Sequence, residues 1–233
     1  MRVRVDVAAD VPVVPWEEVH GPARGALYGL LSEVEPELAR SLHDGGWGGH
    51  PLRPVGMTSP LFRGAPVRAG VFTTSQDGSL WFGSPVPEIA SALVRGLAAR
   101  SEIRWGSARL SIRGVELEQA DQVADGREDG LVELSSVTPV VVKREGRYLL
   151  PGDEHYVERL RHNLVHKADV LGLPAPRGVW VVDAGPRRRF TVRGAPRIGA
   201  RVRVALEADR RFVAAVRCWG LGLDTVQGFG WVR

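Results

Sequence analysis

The residues of this chain best suited to chemistry are glycines, arginines and histidines. Gly220-Leu221-Gly222 and Gly228-Phe229-Gly230 place two Gly-x-Gly pairs around a five-residue insert. Glycines at that spacing let backbone N–H groups turn toward a common point and approach an anion that side chains would otherwise keep away. The segment is expected to contact phosphate through Gly220, Gly222, Gly228 and Gly230, whereas a lone Gly-x-Gly would more simply make a tight turn. Its order argues against a nucleotide cofactor. A dinucleotide fingerprint or P-loop runs strand, glycine loop, helix, but here a helical pattern comes first, with Phe212, Val213, Ala215, Val216 and Trp219 at core spacing.

Arginine supplies the second chemistry. Residues 1 to 125 hold 12 Arg and 15 acidic groups, net −3, and residues 126 to 233 hold 19 Arg plus Lys and 12 acidic groups, net +7. Between Arg187 and Arg217 there are ten arginines and only two acids, Glu207 and Asp209. Codon bias accounts for 29 Arg against 2 Lys, but not for their segregation into one half. Guanidinium groups fork onto phosphate and stack on bases, so the cluster suggests nucleic acid. Arg187, Arg188 and Arg189 are expected in a loop. Arg201 and Arg203 alternate with Val202, Val204 and Leu206, which puts both on one strand face that could lie over RNA.

Histidine offers a third. His162 and His166 stand four apart on a helical pattern, a metal-ligand spacing. They lie opposite the Val157, Leu160, Leu164 stripe, without the Glu of a zinc protease motif or a nearby Cys. A solvated or RNA-facing side is expected, with no metal and no cofactor. His50 lies in the mobile-looking run Gly45-Gly46-Trp47-Gly48-Gly49-His50, and His43 stands before Asp44-Gly45-Gly46, where a plain helix cap is the simplest use for it.

The elements that must position these groups repeat one plan. Residues 1 to 8 alternate as a strand, and Leu27, Leu30, Leu31 and Val34 mark a helical region. Val67 to Thr74 and Ser79 to Gly83 read as a hairpin turned at Gln76-Asp77-Gly78. A helix follows from about Pro87 to Arg100, then a strand through Leu110, Ile112, Val115 and Leu117 in which Gly114 resets the alternation as a bulge would. Polar residues 120 to 130 read as a linker. Beyond it come a strand over Leu131 to Val142, a helix over Asp153 to Leu171, a hairpin of Gly178 to Ala184 with Ala200 to Glu207, a helix over 209 to 219 and a closing strand over 228 to 233. The expected fold is α+β, two tandem ferredoxin-like βαββαβ domains over 1–122 and 130–233.

Composition sets outer bounds. Hydrophobic content of 44% with 25% charged residues is ordinary for a globular protein. The single Cys218 excludes an internal disulfide and fits a reducing cytoplasm. No apolar run approaches the roughly 20 residues of a membrane span, and the alternating N-terminus does not read as a signal peptide.

With these residues in place, the sequence resembles the CRISPR-associated endoribonucleases that cut repeat RNA into guide units, members of the RAMP superfamily (Cas family six). The likeness covers nearly the whole chain: the duplicated plan, the loop ending in Gly228-Phe229-Gly230, the helical region ending in Leu42-His43, the Val137-Thr138-Pro139-Val140 segment and the Asn163-Leu164 to Lys167 pattern. It implies metal-independent attack of a ribose 2′-hydroxyl on the adjacent phosphate, leaving a 2′,3′-cyclic phosphate and a 5′-hydroxyl. By position, His43 matches the family's histidine, Tyr28 its tyrosine, and Arg53 falls where a lysine is usual. Arginine can neutralise the phosphorane, but it cannot exchange a proton near neutral pH. The resemblance also implies CRISPR repeat RNA as partner, other Cas subunits of an effector complex as further partners, and a monomer or homodimer.

Two rivals stand beside it. Gln227 to Val232 resembles the aromatic strand of RNA-recognition domains, with Phe229 and Trp231 on one face to stack bases, and a non-cleaving RNA-binding RAMP subunit would use the same surface. A small-molecule enzyme on this scaffold is the other, since fold alone fixes no function; the basic second half argues against it.

Overall fold

Alternation at the start of the chain becomes a strand with two unlike faces. Val3, Val5 and Val7 are buried, while Arg2, Arg4 and Asp6 line the opposite side. Arg2 pairs with Glu118 at 2.8 Å and Arg4 with Asp6 at 2.8 Å, so that side is laced with charge. The computed structural model describes residues 1–66, 68–118 and 129–233. Most of the linker expected over 120 to 130, and Val67 of the expected hairpin, lie outside the described residues.

The first half runs β1 (Arg2–Ala9), β2 (Val13–Pro15), α1 (Ala23–Val34), α2 (Pro36–Asp44), β3 (Gly56–Met57), β4 (Leu61–Phe62), β5 (Val71–Thr73), β6 (Gly78–Gly83), α3 (Pro87–Ala98), β7 (Glu102–Trp105) and β8 (Ala108–Glu118). Its main sheet has the order β3-β6-β1-β8-β7, with antiparallel neighbours. α1 and α3 bury Leu27, Leu30, Leu31, Ile89, Leu93 and Leu97 against Val3 and Val5, a 3.6-residue stripe meeting a two-residue one. Pro36 opens α2 at a position where its missing N–H costs nothing. In β8 the register steps from Ile112 opposite Val7 to Gly114 opposite Asp6, a bulge at the expected place.

The second half runs β9 (Asp129–Ser135), β10 (Val142–Arg144), β11 (Arg147–Leu149), α4 (Tyr156–Leu171), β12 (Gly178–Ala184), β13 (Arg188–Val192), β14 (Ala195–Gly199), β15 (Val202–Asp209) and α5 (Arg210–Trp219). Strands pair in the order β12-β15-β9, and α4 and α5 cover the sheet through Leu160, Leu164, Phe212, Val213 and Val216. Asp209 caps α5, its carboxylate accepting the Arg211 N–H at 2.7 Å, a contact of about 1 kcal/mol.

Several expectations need correction. Among the described residues the expected hairpin of Val67 to Thr74 with Ser79 to Gly83 is replaced by other pairings: β5 pairs with β2, and β6 pairs with β1, β3 and β4. Gly78 is already strand, opposite Val7 and Phe62, so tertiary pairing overrides the local Asp-Gly turn preference. The strand expected to reach Val142 ends at Ser135; Pro139 has no N–H for a ladder, and only isolated bridges continue from Val140 and Val141. β12 and β15 do pair, but the β13–β14 hairpin stands between them and takes Arg188 and Arg189 out of the expected loop. The closing segment lies beside β9 through Val137 N–H to Trp231 O at 2.7 Å and Arg233 N–H to Ser135 O at 3.0 Å, with a bridge at Val232 rather than a full strand. Val157, expected in the α4 stripe, is exposed; Tyr156 is buried instead. Among the described residues, no helix is long and apolar enough to cross a membrane.

Candidate functional site

The glycine segment is not an open anion cradle. Gly220, Gly222, Gly228 and Gly230 all have positive φ, at +90°, +66°, +84° and +70°, and all are buried. Their neighbourhood is protein backbone. A Cβ on Gly228 would stand 2.7 Å from Ser59 N, and one on Gly230 would overlap the Leu221 carbonyl oxygen. The N–H groups turn inward as well: Leu221 donates to Gly230 O, Leu223 to Val141 O, Gly228 to Thr225 O and Gly230 to Pro139 O. The expectation that these glycines contact phosphate is therefore corrected. They let the end of the chain thread between the two halves.

The joint so formed has its own core. Val19 of the first half meets Val141, Phe190, Val192 and Phe229 of the second. Phe229 and Trp231 are each 1% exposed, which excludes the base stacking of the rival RNA-recognition reading and contributes about 2–3 kcal/mol apiece by burial. His20 lies on Phe229 with ring centroids 4.0 Å apart, and its Nδ1 is 2.8 Å from Gln227 O. Burial pulls the His20 imidazole down to about 4, so it is neutral and donates from Nδ1. Thr225 donates to Val55 O at 2.9 Å, and the buried Lys167 donates to Gly220 O at 2.6 Å. Burial also lowers Lys167, to about 7. Lys167 belongs to the Asn163-Leu164 to Lys167 pattern of the family likeness, but the run Val19-His20-Gly21-Pro22 gives no sign that its histidine meets Gln227 from the far end of the chain.

Tyr28, His43 and Arg53 do come together. Tyr28 extends from α1 to within 5.2 Å of His43, ring centroid to centroid, edge to face. His43 sits exposed on the last turn of α2, with Nδ1 2.7 Å from the Asp44 carboxylate. Arg53 reaches back to the end of that helix: Nε donates to Leu42 O at 2.7 Å and an NH2 group to His43 O at 2.6 Å. These are carbonyls that a helix end leaves without partners, so Arg53 caps α2 and fixes the backbone bearing His43. Burial raises the Tyr28 hydroxyl above its ordinary value, and the Arg53 and Arg24 charges partly offset that. The arrangement is a protonated phenol, an accessible imidazole and two guanidinium groups at one rim, suited to moving a proton beside an anion.

The expected arginines divide. Arg188 and Arg201 border a cleft of about 250 Å³ together with Trp16, His20, Ser59 and Phe72. Trp16 stacks on Phe190 at 5.4 Å, leaving an aromatic surface beside the two cations. Arg203 stands apart, paired with Glu133 at 3.4 Å. Arg187 and Arg189 are exposed but do not line that cleft. His50 and the pair His162–His166 border a second cleft of about 210 Å³. Among the described residues, no three His, Cys, Asp or Glu side chains are gathered as a metal-ligand set.

Comparison with known proteins gives one consistent picture. No family model matches the chain. A curated relative, the CRISPR-associated endoribonuclease Cas6 of Pyrococcus furiosus, is 28% identical over 132 residues, a stretch covering 55% of this chain and 47% of the relative, about half the length of each. The structure of a Cas6-related protein from Pyrococcus furiosus superposes with a TM-score of 0.82 at 20% identity, over 100% of this chain and 97% of that one. A RAMP protein described as binding different RNA substrates gives 0.80 at 20% identity, over 100% and 98%. A Cas6 product complex gives 0.62 at 22% identity, over 100% and 99%. The chain is thus similar to a Cas6 endoribonuclease in sequence over about half its length, and it shares its mixed α+β fold with solved Cas6 and RAMP structures.

Proposed function

We propose that this chain is an endoribonuclease that cuts CRISPR repeat RNA into guide units without a metal. The observation that carries this reading is the meeting of the exposed His43 with Arg53 and with Tyr28, whose hydroxyl is buried without a partner, at one rim built from α1, α2 and the loop after α2. In the reaction, a ribose 2′-oxygen attacks the adjacent phosphorus, its proton passes to a base, and the bond to the 5′-oxygen breaks as that oxygen takes a proton from an acid. The products are a 2′,3′-cyclic phosphate and a 5′-hydroxyl. His43 serves one of the two proton transfers, since imidazole exchanges protons near neutral pH. Tyr28 keeps its proton and donates to the reacting phosphate or the leaving oxygen. Arg53, with Arg24 beside it, counters the charge of the phosphorane while holding His43 in place.

The strand is held by charge and stacking. Arg188 and Arg201 pair with phosphates while Trp16 offers a face to a base. Arg187, Arg189 and Arg203 add diffuse positive potential. Both halves read as variants of the βαββαβ plan, domains 1–122 and 130–233, supported by the orders β3-β6-β1-β8 and β12-β15-β9 with the closing segment beside β9. The protein would act in the cytoplasm as a monomer or homodimer, alone or with other Cas subunits.

One observation favours a second reading, a RAMP subunit that binds guide RNA without cutting it. Arg53 stands where a proton-exchanging lysine is usual, and its N–H groups are committed to Leu42, Pro51 and His43 carbonyls. A single assay separates the two. Repeat RNA incubated with the protein in EDTA is expected to be cut at one position, with a cyclic phosphate end, and a 2′-deoxy substitution at that nucleotide is expected to block the cut. RNA bound but left intact would establish the second reading.

A further inference from the structure

The reaction above leaves one face of α4 without a task. His162 and His166 stand a turn apart with their Nε2 atoms 3.0 Å from one another and their rings edge to face at 4.4 Å. Arg159 and Asn163 share that face, at the spacings that bring helical side chains side by side. Across a gap, His50 and Leu52 arrive from the first half, and the six border the 210 Å³ cleft. Val141, Val142 and Leu223 make much of the remaining wall apolar. Asn163 Oδ1 and Arg159 Nε are buried without a hydrogen-bond partner, an acceptor and a donor that a ligand could satisfy.

An apolar wall with a few converging polar groups is the usual form of a small-ligand site. Flat imidazole faces beside aliphatic groups suit a flat ring. A guanidinium at the edge suits an anion. Metal binding is not supported, because His50 does not complete a ligand set with the histidine pair. We infer that this cleft takes one unpaired nucleobase of the RNA, its ring against His162, His166 and the apolar wall, its donor edge at Asn163 and its phosphate at Arg159.

The inference rests on the proposed RNA reading and adds a place for a nucleotide to it. Leu52 in the cleft wall and Arg53 at the end of α2 are consecutive, their Cα atoms about 3.8 Å apart. The base received therefore belongs to a nucleotide close to the one cut. Sequence preference at that nucleotide would be set here rather than at the rim.

The probes are the four 5′-mononucleotides, ribose 5-phosphate and inorganic phosphate, titrated into the full chain and followed through the imidazole resonances of His162 and His166. At least one mononucleotide is expected to bind about tenfold or more tightly than ribose 5-phosphate, since stacking and edge contacts need a base. Asn163→Ala and the near-isosteric Asn163→Leu, which both lack the acceptor oxygen, should each weaken that mononucleotide by about five- to tenfold. Ribose 5-phosphate binding as tightly as every mononucleotide, or both variants binding as the parent does, overturns the inference. The titration is independent of cleavage. A chain that binds mononucleotides here but cuts no repeat RNA would refute the nuclease reading alone, and one that cuts RNA but binds ribose 5-phosphate equally well would refute this site alone.

Discussion

His20 and His43 bracket the first two helices and sit in opposite surroundings. His20 is 2% exposed, neutral, stacked on Phe229 and tied to Gln227 from the far end of the chain. His43 stands in solvent at the end of α2, its backbone carbonyl held by Arg53 and its ring flanked by Asp44 and Tyr28. The glycines that looked most like a functional motif serve the buried histidine; the exposed one has no motif around it. The difference teaches that close packing and anion binding ask the same thing of a sequence, backbone without side chains, and only burial tells them apart.

The contrast can be broken most severely at the joint. Gly230→Ala would drive a methyl into the Leu221 carbonyl at a φ of +70° and should cost about 3–5 kcal/mol, read as a large drop in the urea midpoint with RNA binding lost alongside. Next comes pH. His20 binds its proton near 4 when folded and near 6.5 when unfolded, so the unfolded chain takes up more protons between those values. Stability should therefore fall by on the order of 3 kcal/mol as pH drops from about 6.5 to about 4. His20→Asn should flatten that slope even if it lowers stability at pH 7.

Smaller effects are expected on the open surface. Arg188→Ala and Arg201→Ala should each reduce the slope of log affinity for RNA against log salt by about 1, with the fold unchanged. Arg203→Ala should do less, because Glu133 already holds that side chain. Smallest is Gly48→Ala in the loop before His50, where nothing crowds a Cβ: a loss of about 1 kcal/mol from its φ of +57°, against the failure at Gly230, would show that the joint and not glycine itself sets the penalty.

Periodicity made much of this molecule legible. The valines of β1, the leucines of α1 and α3 and the Phe212–Trp219 stripe of α5 announce their buried faces, and Gly114 announces its bulge. What stayed hidden was decided by contacts between distant residues. Asp77-Gly78 has the composition of a turn, but Gly78 is drawn into β6 opposite Val7 and Phe62. Phe229 and Trp231 alternate like a stacking strand, yet their segment is walled in by Val19, His20 and Arg2. At the rim, His43, Tyr28 and Arg53 were chosen through a family likeness; the residues themselves gave no hint that Arg53 would cap the helix carrying His43.

The central claim, chemistry at the rim and architecture at the joint, is tested most directly by His43→Ala assayed for repeat-RNA cleavage and for urea unfolding in the same preparation. Cleavage should fall by about 10²- to 10⁴-fold while stability stays within about 0.5 kcal/mol of the parent. A variant that cuts at the parental rate, or that loses cutting only because it unfolds, would contradict it.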